Sequence, residues 1–236
     1  MAKTGDSISA DNANWTFGGD VSEHFDAHVV KSVPLYQEGH DLVAKVSDFF
    51  LNNGSTCYEL GCSTGSLTHR LAKRSGRKKV KYLGIDQEAG MIKKAKSRSK
   101  GMKNVKFLTA DIMNVDLKKA DLIISYYTMQ FVKPKNRQMI FDRIFNALNW
   151  GGGFLLFEKV RGSDARFQDM MTSIYTDYKI DQGYNAEEII GKSRSLKGVL
   201  EPFSTQGNLD LLTRAGFVDI MTVMKYVCFE GFLAIK

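Results

Sequence analysis

The chain has 236 residues, a formal net charge of +7, and 43% hydrophobic and 25% charged residues. This composition is ordinary for a globular protein, and the length predicts one domain with insertions. No apolar run approaches the roughly 20 residues of a membrane-spanning helix, and the N-terminus lacks the apolar segment of a secretory signal. The sequence therefore argues against a membrane-spanning or secreted protein, and we expect a cytoplasmic location.

Residues 1–14 are polar, and we predict that they are disordered. Apolar residues at helical spacing then predict two N-terminal helices between residues 20 and 53, the first of which ends near Pro34. From residue 56 the predicted strands "TCYELG", "KVKYLGID", "VKFLTAD", "ADLIISYYTMQF" and "GFLLFEKV" alternate with the helices "SLTHRLAKRS", "AGMIKKAKSRSK" and "NRQMIFDRIFNALNWGG". We expect the last of these helices to end at Gly151.

Strands that alternate with helices predict a parallel sheet covered on both faces, which is a doubly wound α/β fold. Two further helices between residues 161 and 205 predict a helical cap insertion. The last two apolar runs, "FVDIMTVMKYV" and "FEGFLAIK", predict antiparallel strands at the sheet edge. The expected architecture is a mostly parallel seven-stranded sheet in one domain, residues 15–236, with ligands bound beyond the carboxyl ends of the strands.

The stretch "CYELGCSTGS" predicts a strand that runs into a glycine-bearing turn. Dinucleotide sites have a glycine where this turn has Ser63, because the backbone there must approach the pyrophosphate closely. The Gly-Lys-Ser/Thr ending of a nucleoside triphosphate loop is missing as well. The turn, with Gly61 and Gly65, remains suited to an adenosyl ligand without phosphates.

Two acidic residues end the strands that follow this turn. Asp86 ends "YLGID", and a carboxylate there can accept hydrogen bonds from both ribose hydroxyls. Asp111 ends "FLTAD" and, together with Ile112, is positioned to bracket an adenine. Either acid alone is a weak signal, because Asp is common in turns, but in register with the glycine turn they predict an adenosyl-binding site.

The motifs "YELGCSTGS", "GIDQEAGMI", "TADI" and "NALNWGGGFLLFEK" resemble the successive motifs of class I S-adenosylmethionine-dependent methyltransferases, which have a Rossmann-like fold. The segments "NWTF", "VSEHFDAHVVKSVPLY", "YYTMQF", "EKV", "GYNAEEIIGK" and "LTRAGF" are similar to the bacterial carboxy-S-adenosylmethionine synthase branch. That branch makes the carboxymethyl donor used on wobble uridine in tRNA, so the resemblance implies a link to tRNA modification. It covers the chain from about Trp15 to the C-terminus.

The resemblance implies S-adenosyl-L-methionine as the cofactor and a set of residues that hold it. The methionine end and the sulfonium would contact Tyr36, Gly61, Cys62 and Ser63, the ribose would contact Asp86 and Gln87, and the adenine would contact Asp111 and Ile112. Gly65 would keep the turn open for the next helix, and Tyr126 would lie where the carboxylated cofactor is handled. Packing between the first two helices is an alternative for Tyr36, and Cys62 is expected to be a small packing residue rather than a nucleophile.

Two positions depart from the synthase pattern. Leu211 stands where the synthases have an arginine that grips the carboxylate of the modified cofactor, and Tyr126 stands where they have an asparagine. Leucine offers no donor, and desolvating an unpaired carboxylate is costly. Arg214, Lys192 or Arg194 could supply the missing charge from another direction, which keeps the synthase as an alternative.

Because of these departures, the first functional hypothesis is methyl transfer from S-adenosyl-L-methionine to an acceptor bound under residues 161–205. The activated sulfonium needs mainly in-line positioning. An acceptor could require a base, for which the candidate catalytic residues are Glu158, Tyr126 and Tyr127. For Glu158, a structural salt bridge to its neighbour Lys159 or Arg161 is an equal alternative. The second hypothesis is carboxy-S-adenosylmethionine synthesis from prephenate. The third is a catalytically silent S-adenosylmethionine-binding protein that acts through a partner.

A small molecule is the expected second substrate. The basic stretches "RSGRKKVK" and "KKAKSRSK" are predicted near the amino ends of the strands, so we interpret them mainly as a solvated face, with RNA contact as the alternative. Apolar side chains of the cap could form a homodimer contact. No metal is expected, because His24 and His28 at helical spacing have no third ligand nearby. The three cysteines suggest reduced thiols in a cytosolic compartment.

Overall fold

The computed structural model describes residues 2–6, 8–19, 21–76 and 78–236 of the chain. Some predictions fall outside these residues: disorder at Met1 and Ser7, a helix start at Asp20, and one of the basic side chains at Arg77. Within the described chain, no helix is both long enough and apolar enough to cross a membrane.

The N-terminal residues form a short antiparallel ribbon of β1 (Ala2–Lys3) and β2 (Ser9–Ala10). Ile8 and Trp15 are buried together with Ala10 in a small apolar cluster of their own. The described part of residues 1–14 is therefore packed in this structure, whereas its composition led us to expect disorder. Within this segment Ile8 and Ala10 supply the buried apolar contacts, and a polar average composition does not reveal them.

Eight α-helices lie in the described chain: α1 (Val21–Ser32), α2 (Tyr36–Val46), α3 (Ser66–Ser75), α4 (Ala89–Arg98), α5 (Pro134–Ala147), α6 (Ala165–Asp181), α7 (Ala186–Ser195) and α8 (Thr205–Ala215). The segment predicted as a helical insertion contains α6 and α7. Both start at side-chain caps, because Asp164 accepts from the Phe167 amide and Asn185 accepts from the Glu188 amide.

The central sheet has seven strands: β3 (Thr56–Leu60), β4 (Lys81–Asp86), β5 (Val105–Thr109), β6 (Ala120–Tyr126), β7 (Leu148–Lys159), β8 (Asp219–Tyr226) and β9 (Phe229–Ile235). Their order is β5-β4-β3-β6-β7-β9-β8. The first five in this order are parallel, whereas β9 pairs antiparallel with both β7 and β8. The mostly parallel sheet with an antiparallel edge is confirmed.

Alternate residues of the central strands enter two different cores, as the two-residue period of a strand requires. Ile123 and Leu156 pack with α5 and α8 on one face, whereas Leu122 and Leu155 pack with α2 and α3 on the other. Both faces of β6 and β7 are therefore covered by helices. This explains why "LIIS" and "FLLF" are continuous apolar runs.

The end of α5 differs from the prediction. The helix ends at Ala147, and β7 begins at Leu148, so that Gly151 lies within the strand rather than at the end of the helix. Gly151 has a left-handed φ of 76°, and its N–H donates to the Lys236 carbonyl at 2.8 Å. The glycines therefore form an irregular strand start that pairs with the chain end, a role that local sequence cannot distinguish from a helix cap.

Candidate active site

A large cavity opens at the carboxyl ends of β3, β4 and β6 and extends beneath α6 and α7. Its volume is about 1150 Å³. Pockets for one small ligand are typically about 300–1,000 Å³. The cavity can therefore hold two small molecules side by side, as an enzyme that joins a cofactor to a second substrate requires.

The glycine turn after β3 is tightly fixed. Gly61 has a φ of 75°, and a Cβ atom there would overlap the Thr128 side chain. The Ser63 amide donates to Oδ2 of Asp86 at 2.8 Å, and the Glu88 amide donates to Oδ1 at 2.9 Å. The Ser63 amide is thus engaged by a carboxylate instead of being free for a phosphate, which agrees with a ligand that carries no phosphate.

The cavity wall includes nine of the ten residues that were predicted to hold the cofactor: Tyr36, Gly61, Cys62, Ser63, Asp86, Gln87, Asp111, Ile112 and Tyr126. Gly65 is the exception. It is the N-cap of α3 with a φ of 72°, and a Cβ atom there would lie 2.7 Å from the Ala95 Cβ. Gly65 therefore allows the turn to pack against α4.

Glu59 is an additional wall residue that the sequence interpretation missed. Its Oε2 accepts hydrogen bonds from the amide and the hydroxyl of Thr68, and burial raises its pKa to about 8. A glutamate inside the otherwise apolar strand "TCYEL" was the available signal, because a buried carboxyl group requires partners. Glu59 and Asp86 therefore place two carboxyl groups in the half of the cavity beyond β3 and β4, the half that the sequence predicted to hold the cofactor.

Three tyrosines form an aromatic wall beside this half. The Tyr36 and Tyr126 rings meet edge to face with centroids 5.2 Å apart, and the Tyr126 and Tyr127 centroids are 4.8 Å apart. The Tyr126 hydroxyl donates to the Tyr36 carbonyl at 2.8 Å. Burial, and then the neighbouring tyrosines, raise the pKa of Tyr126 far above its usual range. Tyr126 therefore remains a protonated donor and is poorly suited to act as the base that the sequence suggested.

Glu158 does not line the cavity, although the sequence made it a candidate base. Its carboxyl group is buried next to Arg137 and the amides of Met129 and Gln130. Burial raises its pKa to about 8, an effect that Arg137 opposes. The candidate catalytic role of Glu158 is therefore replaced by a structural one.

Leu211 does not line the cavity either. It is 3% exposed and belongs to the core between α8 and α5. The absence of an arginine there removes no charge from this cavity. Of the three cations considered as substitutes, Arg214 donates to Gln138 on the surface, Arg194 lies outside the wall, and Lys192 lies in it.

Three lysines from different elements line the other half of the cavity: Lys159 at the end of β7, Lys179 on α6 and Lys192 on α7. The Tyr175 ring lies 4.3 Å from the Lys159 Nζ and 4.7 Å from the Lys179 Nζ. Burial lowers the pKa of all three, and Lys159 lowers that of Lys179 further, to about 8. In the described chain, no ion pair joins any of the three to a carboxylate.

The two histidines of α1, His24 and His28, lie in different environments. His28 lines the cavity and its Nδ1 lies 2.8 Å from Oδ2 of Asp6, whereas His24 is on the exposed side of α1. Across the described residues, no group of His, Cys, Asp and Glu side chains is arranged to hold a metal ion. The cysteines, Cys57, Cys62 and Cys228, are buried free thiols.

Comparison with known proteins agrees with this geometry. A family model described as "Methyltransferase domain" matches residues 51–207. The chain is 35% identical over 223 residues to a carboxy-S-adenosyl-L-methionine synthase of Staphylococcus epidermidis, covering 94% of this chain and 97% of that protein. It is also 35% identical to a protein of the same name from Campylobacter jejuni, with 93% of each chain covered.

Solved structures share the fold at low identity. The S-adenosylmethionine-dependent methyltransferase SibL matches with a TM-score of 0.62 and 14% identity, over 85% of this chain and 55% of that one. A SAM-dependent methyltransferase from Aquifex aeolicus matches with a TM-score of 0.57 and 18% identity, over 86% of this chain and 94% of that one. The chain is an S-adenosylmethionine-dependent transferase that belongs to the carboxy-S-adenosyl-L-methionine synthase family of the Rossmann-like methyltransferases.

Proposed function

We propose that the protein is a carboxy-S-adenosyl-L-methionine synthase that takes its carboxyl group from prephenate. The observation that supports this best is the distribution of carboxyl and ammonium groups over the cavity wall. Glu59 and Asp86 lie in one half, and Lys159, Lys179 and Lys192 lie in the other. A cationic cofactor fits the first half and an anionic second substrate fits the second.

The lysine half favours a substrate with more than one carboxylate. Three half-buried ammonium groups without carboxylate partners repel each other, and an anion that enters among them relieves that repulsion. Prephenate carries a ring carboxylate and a side-chain carboxylate. Loss of the ring carboxyl together with the ring hydroxide makes its ring aromatic. In the synthesis, the methyl group of the cofactor exchanges one proton for that carboxyl group, and the proton leaves with the hydroxide as water.

Simple methyl transfer to a neutral acceptor is less consistent with the cavity. It leaves three lysines in the second-substrate half without a partner. The three bases that the sequence suggested also fit it poorly, because Glu158 lies outside the wall and burial raises the pKa of both Tyr126 and Tyr127 far above their usual range. The arginine whose absence argued against the synthase corresponds to Leu211, a core residue in this chain.

The ligand that copurifies with the protein from a bacterial host tests this proposal. Native mass spectrometry, followed by denaturation and tandem mass spectrometry of the released ligand, distinguishes the candidates. We expect an adenosyl compound heavier than S-adenosylmethionine by one carboxyl group on the sulfonium substituent. Recovery of S-adenosylmethionine or S-adenosylhomocysteine alone, even when prephenate is added to the lysate, would contradict the synthase and favour methyl transfer.

We also propose that the protein is a homodimer. The helix α6 has no buried residue, and its outward stripe of Phe167, Met170 and Ile174 is about half exposed at helical spacing. A second copy that covers this stripe would remove the apolar surface from water. Sedimentation at micromolar concentration is the test. We expect the wild-type protein to be a dimer and the Ile174→Glu variant to be a monomer. A monomeric wild-type protein would refute the proposal.

Any link to tRNA would, we propose, run through the product rather than through RNA binding by this chain. Lys81 begins β4 and Lys106 lies in β5, at the edge of the sheet opposite the strand ends that form the cavity. RNA held there would not reach the cofactor. Binding of tRNA measured across salt concentrations should be weak and non-specific.

The buried free thiols fit a reducing, cytoplasmic compartment.

A further inference from the structure

The N-terminal segment, residues 2–6 and 8–15, lies against the helix that carries Lys192. The Ala13 amide donates to the Arg194 carbonyl at 2.9 Å, and the Trp15 amide donates to the Ser195 carbonyl at 3.0 Å. Both acceptors are at the end of α7. The segment is therefore docked by backbone hydrogen bonds onto one wall of the cavity.

Asp6 anchors the same segment to α1 and to the start of α7. Its carboxylate accepts hydrogen bonds from Tyr184 at 2.5 Å and from Lys31 at 2.9 Å, and its Oδ2 lies 2.8 Å from the His28 Nδ1. Burial alone would raise the pKa of Asp6, but these hydrogen bonds lower it to about 2. Asp6 is therefore ionised at neutral pH, and it fixes the proton of His28 on Nδ1.

Lys192 is held between the two rings that this arrangement orients. Its Nζ lies 2.7 Å from the centroid of the Trp15 ring and 3.2 Å from the His28 Nε2. Burial, and then Lys192, lower the pKa of His28 to about 4, so the imidazole is neutral and its Nε2 can accept from the ammonium. All three residues line the cavity.

The Trp15 ring supplies what the surroundings of Lys192 otherwise lack. Burial and Lys179 both disfavour the ammonium form, Asp6 favours it to a smaller extent, and no carboxylate forms an ion pair with Lys192 among the described residues. An indole face attracts a cation most strongly where water is excluded. Without the ring, we expect the side chain to lose its proton or leave the wall, so the cavity would lose one of its three lysine charges from Lys159, Lys179 and Lys192.

We propose that Trp15 is a positioning residue for the second substrate: it keeps Lys192 charged and fixed at the cavity wall, so the N-terminal segment is part of the substrate site. This inference rests on the proposed function, because it assumes that an anion is bound in the lysine half. It assigns a role in substrate recognition to a segment that the composition predicted to be disordered.

The contact itself can be tested without any substrate. In protein labelled with ¹³C-lysine, the Cε protons of Lys192, assigned with Lys192→Met, should be shifted upfield by the Trp15 ring current. Trp15→Leu should abolish the shift, and Trp15→Phe should retain part of it. A Lys192 resonance at the position of the exposed lysines in the wild-type protein would overturn the proposal.

A double-mutant cycle tests whether the Trp15–Lys192 contact contributes to substrate binding. The measured quantity is the affinity for prephenate of the protein saturated with S-adenosylhomocysteine, because this compound prevents turnover. Trp15→Leu should weaken binding by about tenfold in the wild-type background, from the size of a desolvated cation–π contact, and Trp15→Phe should restore part of the affinity. In the Lys192→Met background, Trp15→Leu should have little further effect. Equal losses in both backgrounds would mean that Trp15 acts only on the structure of the segment, which overturns the proposal. Absence of prephenate binding to the wild-type protein, with the ring-current shift intact, would instead contradict the proposed function and leave the Trp15–Lys192 positioning supported.

Discussion

Replacing Lys179 by methionine should make the empty protein more stable and the enzyme less able to bind its second substrate. Burial and Lys159 lower the Lys179 pKa from 10.5 to about 8. A difference of this size corresponds to about 3 kcal/mol that opposes the charged form in the folded protein. Because the side chain is only partly shielded from solvent, we expect a gain in the free energy of unfolding of about 1–3 kcal/mol at pH 7.

The pH dependence of the free energy of unfolding tests whether the charge of Lys179 causes this difference in stability. The folded protein binds fewer protons than the unfolded chain between pH 8 and 10.5, so the wild-type free energy of unfolding should rise with pH across that window as the Lys179 penalty disappears. Lys179→Met should lack this part of the rise. Urea unfolding at a series of pH values measures both, with Lys96→Met, an exposed lysine on α4, as the control.

Lys179→Met should also weaken prephenate binding by about tenfold or more, because a hydrogen bond to a charged group contributes about 1.5–3 kcal/mol. Lys179→Arg, which keeps the charge, should retain most of the affinity. In the wild-type enzyme, affinity should fall as pH rises above about 8 and Lys179 loses its proton. A Lys179→Met protein that is less stable than wild type and binds prephenate normally would refute the reasoning.

Three further substitutions test other parts of the site. Asp86→Ala should weaken S-adenosylhomocysteine binding by about tenfold or more, because the carboxylate is lost from both the glycine turn and the ribose site; an unchanged calorimetric titration would contradict this role. Glu158→Gln should change kcat by less than about threefold, because Glu158 lies outside the cavity wall and its pKa of about 8 keeps it largely protonated; a loss of about a hundredfold, the size expected for a general base, would restore it as a catalytic residue. Leu211→Arg should destabilise the fold by about 3–5 kcal/mol, since it buries an unpaired charge in the core. A stable Leu211→Arg protein with improved carboxylation would show that the synthase arginine belongs at this position after all.

The sequence predicted the sheet well, and nine of the ten residues that it proposed for the cofactor share one cavity wall, for a local reason. Gly61, Ser63 and Asp86 follow directly from two consecutive strands, and parallel strands bring their carboxyl ends to one edge. The continuous apolar run in "ADLIISYYTMQF", which contains β6, is typical of a strand covered on both faces. Glu59 was within reach of the same reasoning, since it interrupts an apolar strand.

The lysine half was not predictable in this way. Lys159, Lys179 and Lys192 come from three elements, and each resembles an ordinary surface lysine in its own segment. Only the packing of α6 and α7 over the strand ends brings them together. Leu211 was matched to the synthase arginine only by resemblance to a motif, and in the structure it is buried beside Leu212 on the core face of α8.

The most direct test of the central claim is the product formed in vitro from methyl-¹³C S-adenosylmethionine and prephenate, followed by mass spectrometry. The proposed function predicts a labelled adenosyl sulfonium compound that has gained one carboxyl group, and its rate of formation should fall in Lys159→Met, Lys179→Met and Lys192→Met. Unchanged cofactor in the presence of prephenate, together with transfer of the labelled methyl group to another acceptor, would contradict it.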